Sequence, residues 1–249
     1  YADILYEAAP LLEKYEMPAT LFVATGFIDQ NKEYGWDEVE RLLFFSKNKA
    51  TPLTLCINGK SYRWENLAIP SPGKWNVHQP AQTPLHKAYL ELSTLIRNLI
   101  PSERHKTLEQ IRAWAGLDPA CRSSHRAMNT QELQRLNASK YVDLGAHTIL
   151  HPVLSMLPAD GQRLEICGSR THLEKILGEE VKTFSYPFGR VEDYNADSVR
   201  VVAECGFRCA CSNFPGLSTR WTNPFQIPRF VVGNWNEEDF ITHVRQFMA

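Results

Sequence analysis

Short apolar runs alternate with amphipathic helical segments after Met128, and this alternation constrains the fold more than any other feature of the sequence. The predicted helices are 130–136, 158–177, 196–205 and 237–247, and the predicted strands are 141–146, 181–186, 207–212 and 225–232. Helices that separate successive strands place those strands side by side in a parallel sheet, either open or closed into a barrel. The sequence therefore predicts an α/β fold, in which functional residues lie at the carboxyl ends of the strands.

The beginning of the chain carries the same alternation. Residues 2–15 are predicted to form a helix with one apolar face, and residues 19–25 (ATLFVAT) form a continuous apolar run. Such a run is typical of a strand that is buried on both faces. Because the chain opens on a helix that leads into a strand, we expect a partner strand to precede Tyr1.

Residues of about 30–128 interrupt this pattern. They contain a predicted helix at 36–45, a hairpin at 52–64, a loop rich in Pro, Gly and Gln at 69–84, and helical periodicity at 85–114. We therefore interpret residues 1–249 as a single domain. The region 30–128 is then a partly helical insertion or lid rather than a second independent domain.

Composition excludes some classes of partner. The net charge of −1 gives no support for nucleic acid as a partner, and the absence of a run of 18 or more apolar residues predicts no transmembrane segment. The six cysteines lack metal-binding spacing, and we interpret them as reduced thiols, which favours a cytoplasmic location. Because the first methionine is Met17, the true N-terminus is not visible and the lack of a signal peptide is uninformative.

Two histidines, His147 and His151, follow the predicted strand 141–146. In an extended strand they would lie about 13 Å apart, whereas a shared zinc ion needs both ring nitrogens at about 2.0–2.1 Å. The chain must therefore leave extended geometry after His147, and Pro152 suits that exit while Thr148 is expected to cap the turn. Ordinary hydrogen-bonded histidines are the alternative, but the position at a strand end favours a metal pair.

Two motifs carry a resemblance to a known family. Residues 147–152 read H-T-I-L-H-P, and residues 184–189, at the end of the next predicted strand, read F-S-Y-P-F-G. With these motifs the sequence resembles the polysaccharide deacetylases of the NodB-homology type, carbohydrate esterase family 4. The resemblance covers residues 1–30 and about 129–249, and it implies a distorted (β/α) barrel with fewer than eight strands.

The resemblance implies a metal-dependent hydrolase that removes N-acetyl groups from the sugars of a polysaccharide or glycan. His147 and His151 would hold a divalent metal, with zinc expected, together with one Asp, and a second Asp would be the general base. Both acids belong to a T-F-D-D-G motif that we expect upstream of Tyr1, outside the chain. The backbone N–H of Phe188 would donate to the oxyanion of the tetrahedral intermediate.

Three features depart from the family pattern. The chain has no adjacent pair of aspartates, Ser185 stands where the family carries an Arg that orients the base, and residues 225–229 lack the general-acid histidine of the family. The general acid therefore stays unassigned. A catalytically inactive carbohydrate-binding or scaffolding relative is the alternative function, and a zinc hydrolase of another amide or ester would use the same ligands.

Four further residues are candidates for binding an N-acetylated carbohydrate. Tyr186 fits the wall of an acetyl pocket or core packing, Arg229 a sugar contact or a structural pairing, and Trp235 stacking on a sugar ring or burial. Pro187 would hold the turn of the second motif rigid. The expected partner is this carbohydrate alone, with no nucleic acid.

Overall fold

The computed structural model describes residues 1–70, 73–117 and 121–248, and they divide into two compact units. The first unit consists of Tyr1–Asp3 and Asp29–Met128, and the second of Ile4–Ile28 and the residues from Asn129 onward. The first unit thus contains the region that the sequence marks as an insertion. A lid function for that region stays a prediction.

Six strands of the described residues form two separate sheets. In chain order they are β1 (Ala19–Val23), β2 (Leu53–Ile57), β3 (Lys60–Trp64), β4 (Val142–Ala146), β5 (Thr183–Ser185) and β6 (Cys209–Cys211). In the second unit β1, β4, β5 and β6 form a parallel sheet in that order. In the first unit β2 and β3 form the predicted antiparallel hairpin.

The described residues also contain eight α-helices. In chain order they are α1 (Ala9–Lys14), α2 (Gly35–Phe44), α3 (Pro84–Arg97), α4 (Pro101–Ala115), α5 (Thr130–Asn137), α6 (Ala159–Leu177), α7 (Ala196–Glu204) and α8 (Glu237–Met248). A π-helical turn at Ile4–Ala8 precedes α1, so the predicted helix at 2–15 is irregular in its first part. None of these helices combines the length and the apolar character that crossing a bilayer requires.

Two further predictions of secondary structure differ from the structure. The helical periodicity at 85–114 is divided into α3 and α4, with Pro101 at the first position of α4, where its missing N–H does no harm. The predicted strand at 225–232 is wrong, because the segment makes only an isolated parallel bridge between Ile227 and Cys211. Pro224 and Pro228 flank that bridge and cannot donate hydrogen bonds to a strand ladder.

Apolar side chains fill the interior of each unit. In the first unit α2, α3 and α4 pack with the hairpin through buried residues such as Leu42, Leu55, Leu92 and Ile111. In the second unit the β4 residues Val142, Leu144 and Ala146 are buried, as are Leu133, Ile166 and Val202 from the covering helices. Helices therefore bury the middle of the parallel sheet. In β1 only Val23 is buried and Thr20 is exposed, so the prediction of a strand buried on both faces is wrong for β1.

The interpretation of all six cysteines as reduced thiols is wrong for one pair. Cys167 of α6 and Cys205, which follows α7, form a disulfide with their Cα atoms 5.5 Å apart. The two helices pack against each other, and this distance lies within the usual range for disulfides. Because disulfides persist mainly in oxidising compartments, the argument from cysteines for a cytoplasmic location loses its basis.

Gly145 of β4 leaves no space for a side chain. A Cβ at this position would lie 2.5 Å from Thr183 Oγ1 and 2.7 Å from the Phe22 ring, on the two neighbouring strands. We therefore expect Gly145→Ala to lower the free energy of unfolding by about 1–3 kcal/mol, as overpacking does. Urea denaturation measures this change.

Gly161→Ala provides the matched control. A Cβ at Gly161 in α6 would meet no atom closer than 3.5 Å, so this substitution should be neutral or stabilise by up to about 1 kcal/mol. Equal effects of the two substitutions would contradict the close packing of β4 between its neighbours.

Candidate active site and metal ligands

The two histidines of the first motif lie together at the carboxyl end of β4. His147 directly follows the strand, and its backbone N–H donates to the carbonyl oxygen of Val23 in β1 at 3.0 Å. The ring centroids of His147 and His151 are 4.8 Å apart with an interplanar angle of 72°. The turn that the sequence requires between them is therefore present. Metal binding by the pair stays a prediction.

Thr148 ties the two ends of this turn together. Its hydroxyl donates to the carbonyl oxygen of His147 and accepts from the backbone N–H of His151 at 3.0 Å. Thr148 and His151 adopt left-handed backbone conformations, with φ of 64° and 54°. Such conformations are costly for residues other than glycine, so the surrounding contacts must stabilise them.

Glu165 of α6 supports the turn from the helix side. One of its carboxylate oxygens, Oε2, accepts hydrogen bonds from the backbone N–H groups of Ile149 and Leu150, both at 2.8 Å. The residue is only 6% exposed, so these bonds form in a region of low water content. Sequence reasoning missed Glu165, because its spacing in α6 is that of an ordinary helical carboxylate.

The residues after β1, the strand next to β4, also form hydrogen bonds with the turn between His147 and His151. A 3₁₀ turn at Thr25–Phe27 follows β1. Its first two N–H groups, those of Thr25 and Gly26, donate to the carbonyl oxygens of Thr148 and Ile149 at 3.1 and 2.9 Å. A Cβ at Gly26 would lie 2.8 Å from the same Ile149 oxygen, so the close approach requires glycine.

The orientation of the His147 ring is set by Ser185 at the end of β5. His147 Nδ1 lies 2.6 Å from the Ser185 carbonyl oxygen and must donate to it, which leaves Nε2 as the atom with a free electron pair. Burial lowers the pKa of His147 to about 4, against the opposing effect of this hydrogen bond and with a smaller contribution from the charge of Arg229. The ring is therefore neutral near pH 7, as a metal ligand must be.

The second motif places Phe188 beside the histidines. Phe188 has a φ of 59°, and its ring centroid lies 4.8 Å from that of His151. Asn213 donates from Nδ2 to the Phe188 carbonyl oxygen at 3.0 Å. Its backbone N–H donates to the Gly189 carbonyl oxygen at 2.7 Å. Pro187 is buried in this turn. The role of the Phe188 N–H as an oxyanion donor stays a prediction.

The other candidate residues lie in different surroundings. Tyr186 is 1% exposed, donates to the Phe225 carbonyl oxygen at 2.9 Å and stacks on Tyr194, so its geometry favours core packing over a pocket wall. Trp235 stacks on His243 of α8 with ring centroids 4.0 Å apart. Contact of either residue with a substrate stays a prediction.

Arg229 uses its side chain to reach protein atoms at the carboxyl ends of two strands. Its Nε donates to the Ser212 carbonyl oxygen at 2.6 Å, and its Nη2 to Ser185 Oγ at 2.9 Å. These bonds agree with the structural alternative for Arg229. A contact with sugar stays a prediction.

The donor atoms present fit part of a metal site. Two imidazoles that meet at a strand end suit zinc, which prefers nitrogen and sulfur ligands. Across residues 1–70, 73–117 and 121–248, no three His, Cys, Asp or Glu side chains cluster closely enough to hold an ion. His147 and His151 would therefore supply the imidazole ligands of the implied metal, and no carboxylate among the described residues joins them.

Comparison with known proteins finds a match in the region that contains both motifs. Residues 120–210 match the family model described as polysaccharide deacetylase, and this range includes both motifs. An uncharacterized protein of Streptomyces coelicolor is 40% identical over 60 residues, which cover 24% of this chain and 23% of the relative. The chain thus spans about a quarter of the length of this curated relative.

Of two solved structures that match the chain, only the first is similar enough to support a statement about the fold. IcaB from Ammonifex degensii matches with a TM-score of 0.52 at 14% identity, over 99% of this chain and 68% of that chain. The Streptococcus pyogenes deacetylase PplD in complex with acetate matches with a TM-score of 0.43 at 20% identity, over 48% of this chain and 52% of that chain. The likeness to IcaB concerns the fold alone, and it confirms the predicted α/β architecture.

Removal of the Thr148 hydroxyl is expected to loosen the turn. In Thr148→Val the buried N–H of His151 loses its acceptor, which typically costs about 1–3 kcal/mol of unfolding free energy. Thr148→Ser keeps the hydroxyl and loses only a methyl group, at a cost of about 0.8 kcal/mol. Urea denaturation of both variants measures the difference, and equal losses would contradict the role of the hydroxyl.

The low pKa of His147 predicts a dependence of stability on pH. Its pKa is about 4 in the folded protein against an ordinary value of 6.5, so the unfolded state takes up the proton first as the pH falls. The stabilisation is complete above about pH 6.5 and is lost as the pH falls towards 4, by at most about 3 kcal/mol.

Urea denaturation of the metal-free protein at about pH 7 and about pH 4.5 tests this dependence. The decrease in unfolding free energy should be smaller in His147→Asn, which cannot titrate, than in the wild type. His172→Asn changes an exposed histidine of α6 and should behave like the wild type. Parallel pH curves for the wild type and His147→Asn would refute the assignment.

Proposed function

We propose, from the match of residues 120–210 to the polysaccharide deacetylase family model, that this protein is a metal-dependent hydrolase. It would remove N-acetyl groups from the sugars of a polysaccharide or glycan. The observation that carries this proposal is the contact of the His147 and His151 rings at the end of β4, with Phe188 beside them. An N-acetylated carbohydrate is then the substrate.

His147 and His151 would hold the divalent metal, for which zinc is expected. A bound metal of this kind polarises an amide carbonyl and lowers the pKa of a water molecule. The chain prepares His147 for this task in two ways, since burial keeps the ring neutral and the Ser185 carbonyl holds the proton on Nδ1. Hydrogen bonds of this type to a ligating histidine fix its orientation.

The turn around Phe188 would serve the developing oxyanion. A backbone N–H that is fixed before the reaction stabilises negative charge in the transition state without reorganisation. Asn213 holds the carbonyl side of this turn through two hydrogen bonds. Gly189 has a φ of 73°, and a Cβ there would lie 2.9 Å from Asn213, so only glycine lets the chain turn away at this point.

An inactive carbohydrate-binding relative is the second candidate function. It is favoured by Ser185 in place of the Arg that the family resemblance implies, and by the lack of a histidine in the segment 225–229. The resemblance assigns the third metal ligand and the general base to aspartates. Among the described residues, no aspartate is assigned to either role.

Acetate release from N-acetylglucosamine oligomers, measured with the metal content of the full-length protein, tests the proposal. His147→Ala should lose bound metal and lower the rate of acetate release by more than about 100-fold, because even groups that only orient metal ligands contribute 10–100-fold. His172→Ala is the matched control, since His172 is exposed on α6 and should leave both measurements unchanged.

The outcomes separate the two candidate functions. The hydrolase is supported if His147→Ala loses both bound metal and acetate release while His172→Ala keeps both. A full-length wild-type protein that binds the oligomers, but contains no metal and releases no acetate, would replace the hydrolase by the inactive carbohydrate-binding relative.

A further inference from the structure

The Arg229 guanidinium connects the carboxyl ends of two neighbouring strands. Ser185 is the last residue of β5, and Ser212 directly follows β6. Nε of Arg229 donates to the Ser212 carbonyl oxygen at 2.6 Å, while Nη2 donates to Ser185 Oγ at 2.9 Å. The backbone N–H of Arg229 donates to the Phe214 carbonyl oxygen at 3.0 Å, so the residue is anchored at both ends.

The arginine is held here by oriented neutral groups. Its guanidinium carbon lies 5.7 Å from the centroid of the Phe22 ring, a cation–π distance. The same Phe22 ring has its centroid 6.5 Å from that of His147. The hydrogen bonds to the serines and the contact with Phe22 fix the guanidinium plane near His147.

Ser185 connects Arg229 to His147, the proposed metal ligand. Its hydroxyl is held by Arg229, and its carbonyl oxygen accepts the Nδ1 proton of His147 at 2.6 Å. Ser185 is 1% exposed, so water does not readily replace either bond. A displacement of Ser185 would change both the direction of the His147 ring and the nitrogen that carries its proton.

We propose that Arg229 is a positioning residue which orients His147 for metal binding through Ser185. This inference rests on the proposed function, and it adds to it the group that keeps the ligand in place. The role depends on the planar fork of the guanidinium, because Nε and Nη2 reach two acceptors at the ends of different strands at once. A lysine has the charge but lacks this geometry.

Zinc titration of the metal-free full-length protein and ¹⁵N NMR of the His147 ring test the role of Arg229. Arg229→Lys should weaken zinc binding by about 10–100-fold and convert the single Nδ1–H tautomer into a mixture. Ser185→Ala should change both readouts in the same direction. The double variant should be no worse than Arg229→Lys alone, because both substitutions break one connection.

Arg208→Lys is the matched control, since Arg208 is an exposed residue of the same unit that donates to Glu180. Wild-type zinc affinity and a single His147 tautomer in Arg229→Lys would overturn the inference, as would additive effects of the two substitutions. If Arg229→Lys fails to fold by circular dichroism, Ser185→Ala decides alone, and an unchanged tautomer overturns the inference.

The two proposals fail in different ways. A wild-type protein that binds no zinc removes the hydrolase proposal. The tautomer of the His147 ring in the metal-free protein then still shows whether Arg229 fixes the ring, because that measurement needs neither metal nor activity.

Discussion

The reversal of the chain between His147 and His151 is the constraint on which the rest of the site depends. Two residues in left-handed conformation, Thr148 and His151, make the reversal, and each such residue costs about 1–3 kcal/mol. The Thr148 hydroxyl and the Glu165 carboxylate stabilise it with hydrogen bonds from inside the turn and from α6. Backbone donors after β1 add further bonds.

These stabilising groups explain why the site needs three neighbouring strands of the parallel sheet and one of its helices. β1 brings the donors of Thr25 and Gly26, β4 brings the histidines, β5 brings Ser185, and α6 brings Glu165. Parallel strands end at the same edge of a sheet, so their loops meet there without any further adjustment of the chain. The disulfide between Cys167 and Cys205 then ties α6, which carries Glu165, to the end of α7.

The sequence predicts the local features of this arrangement and fails for those that depend on distant contacts. The histidine pair and the hairpin at 52–64 follow from short patterns. Glu165 lies 16 and 15 residues from its two backbone partners, and the two cysteines of the disulfide lie 38 residues apart, so no short periodicity marks either feature. The segment 225–232 has the composition of a strand, but Pro228 within it and Pro224 just before it lack the N–H donors that a strand needs.

Arg229 shows that a motif can lose its arginine while an arginine from another segment still reaches the same position. The family resemblance implies an Arg at the position of Ser185, and its absence is one reason to consider an inactive relative. Yet the Arg229 guanidinium reaches Ser185 Oγ from a segment 44 residues further along the chain. Its charge also acts on His147, where it lowers the pKa in the same direction as burial. A cationic, planar donor is therefore available at the end of β5, so Ser185 by itself is a weak argument against catalysis.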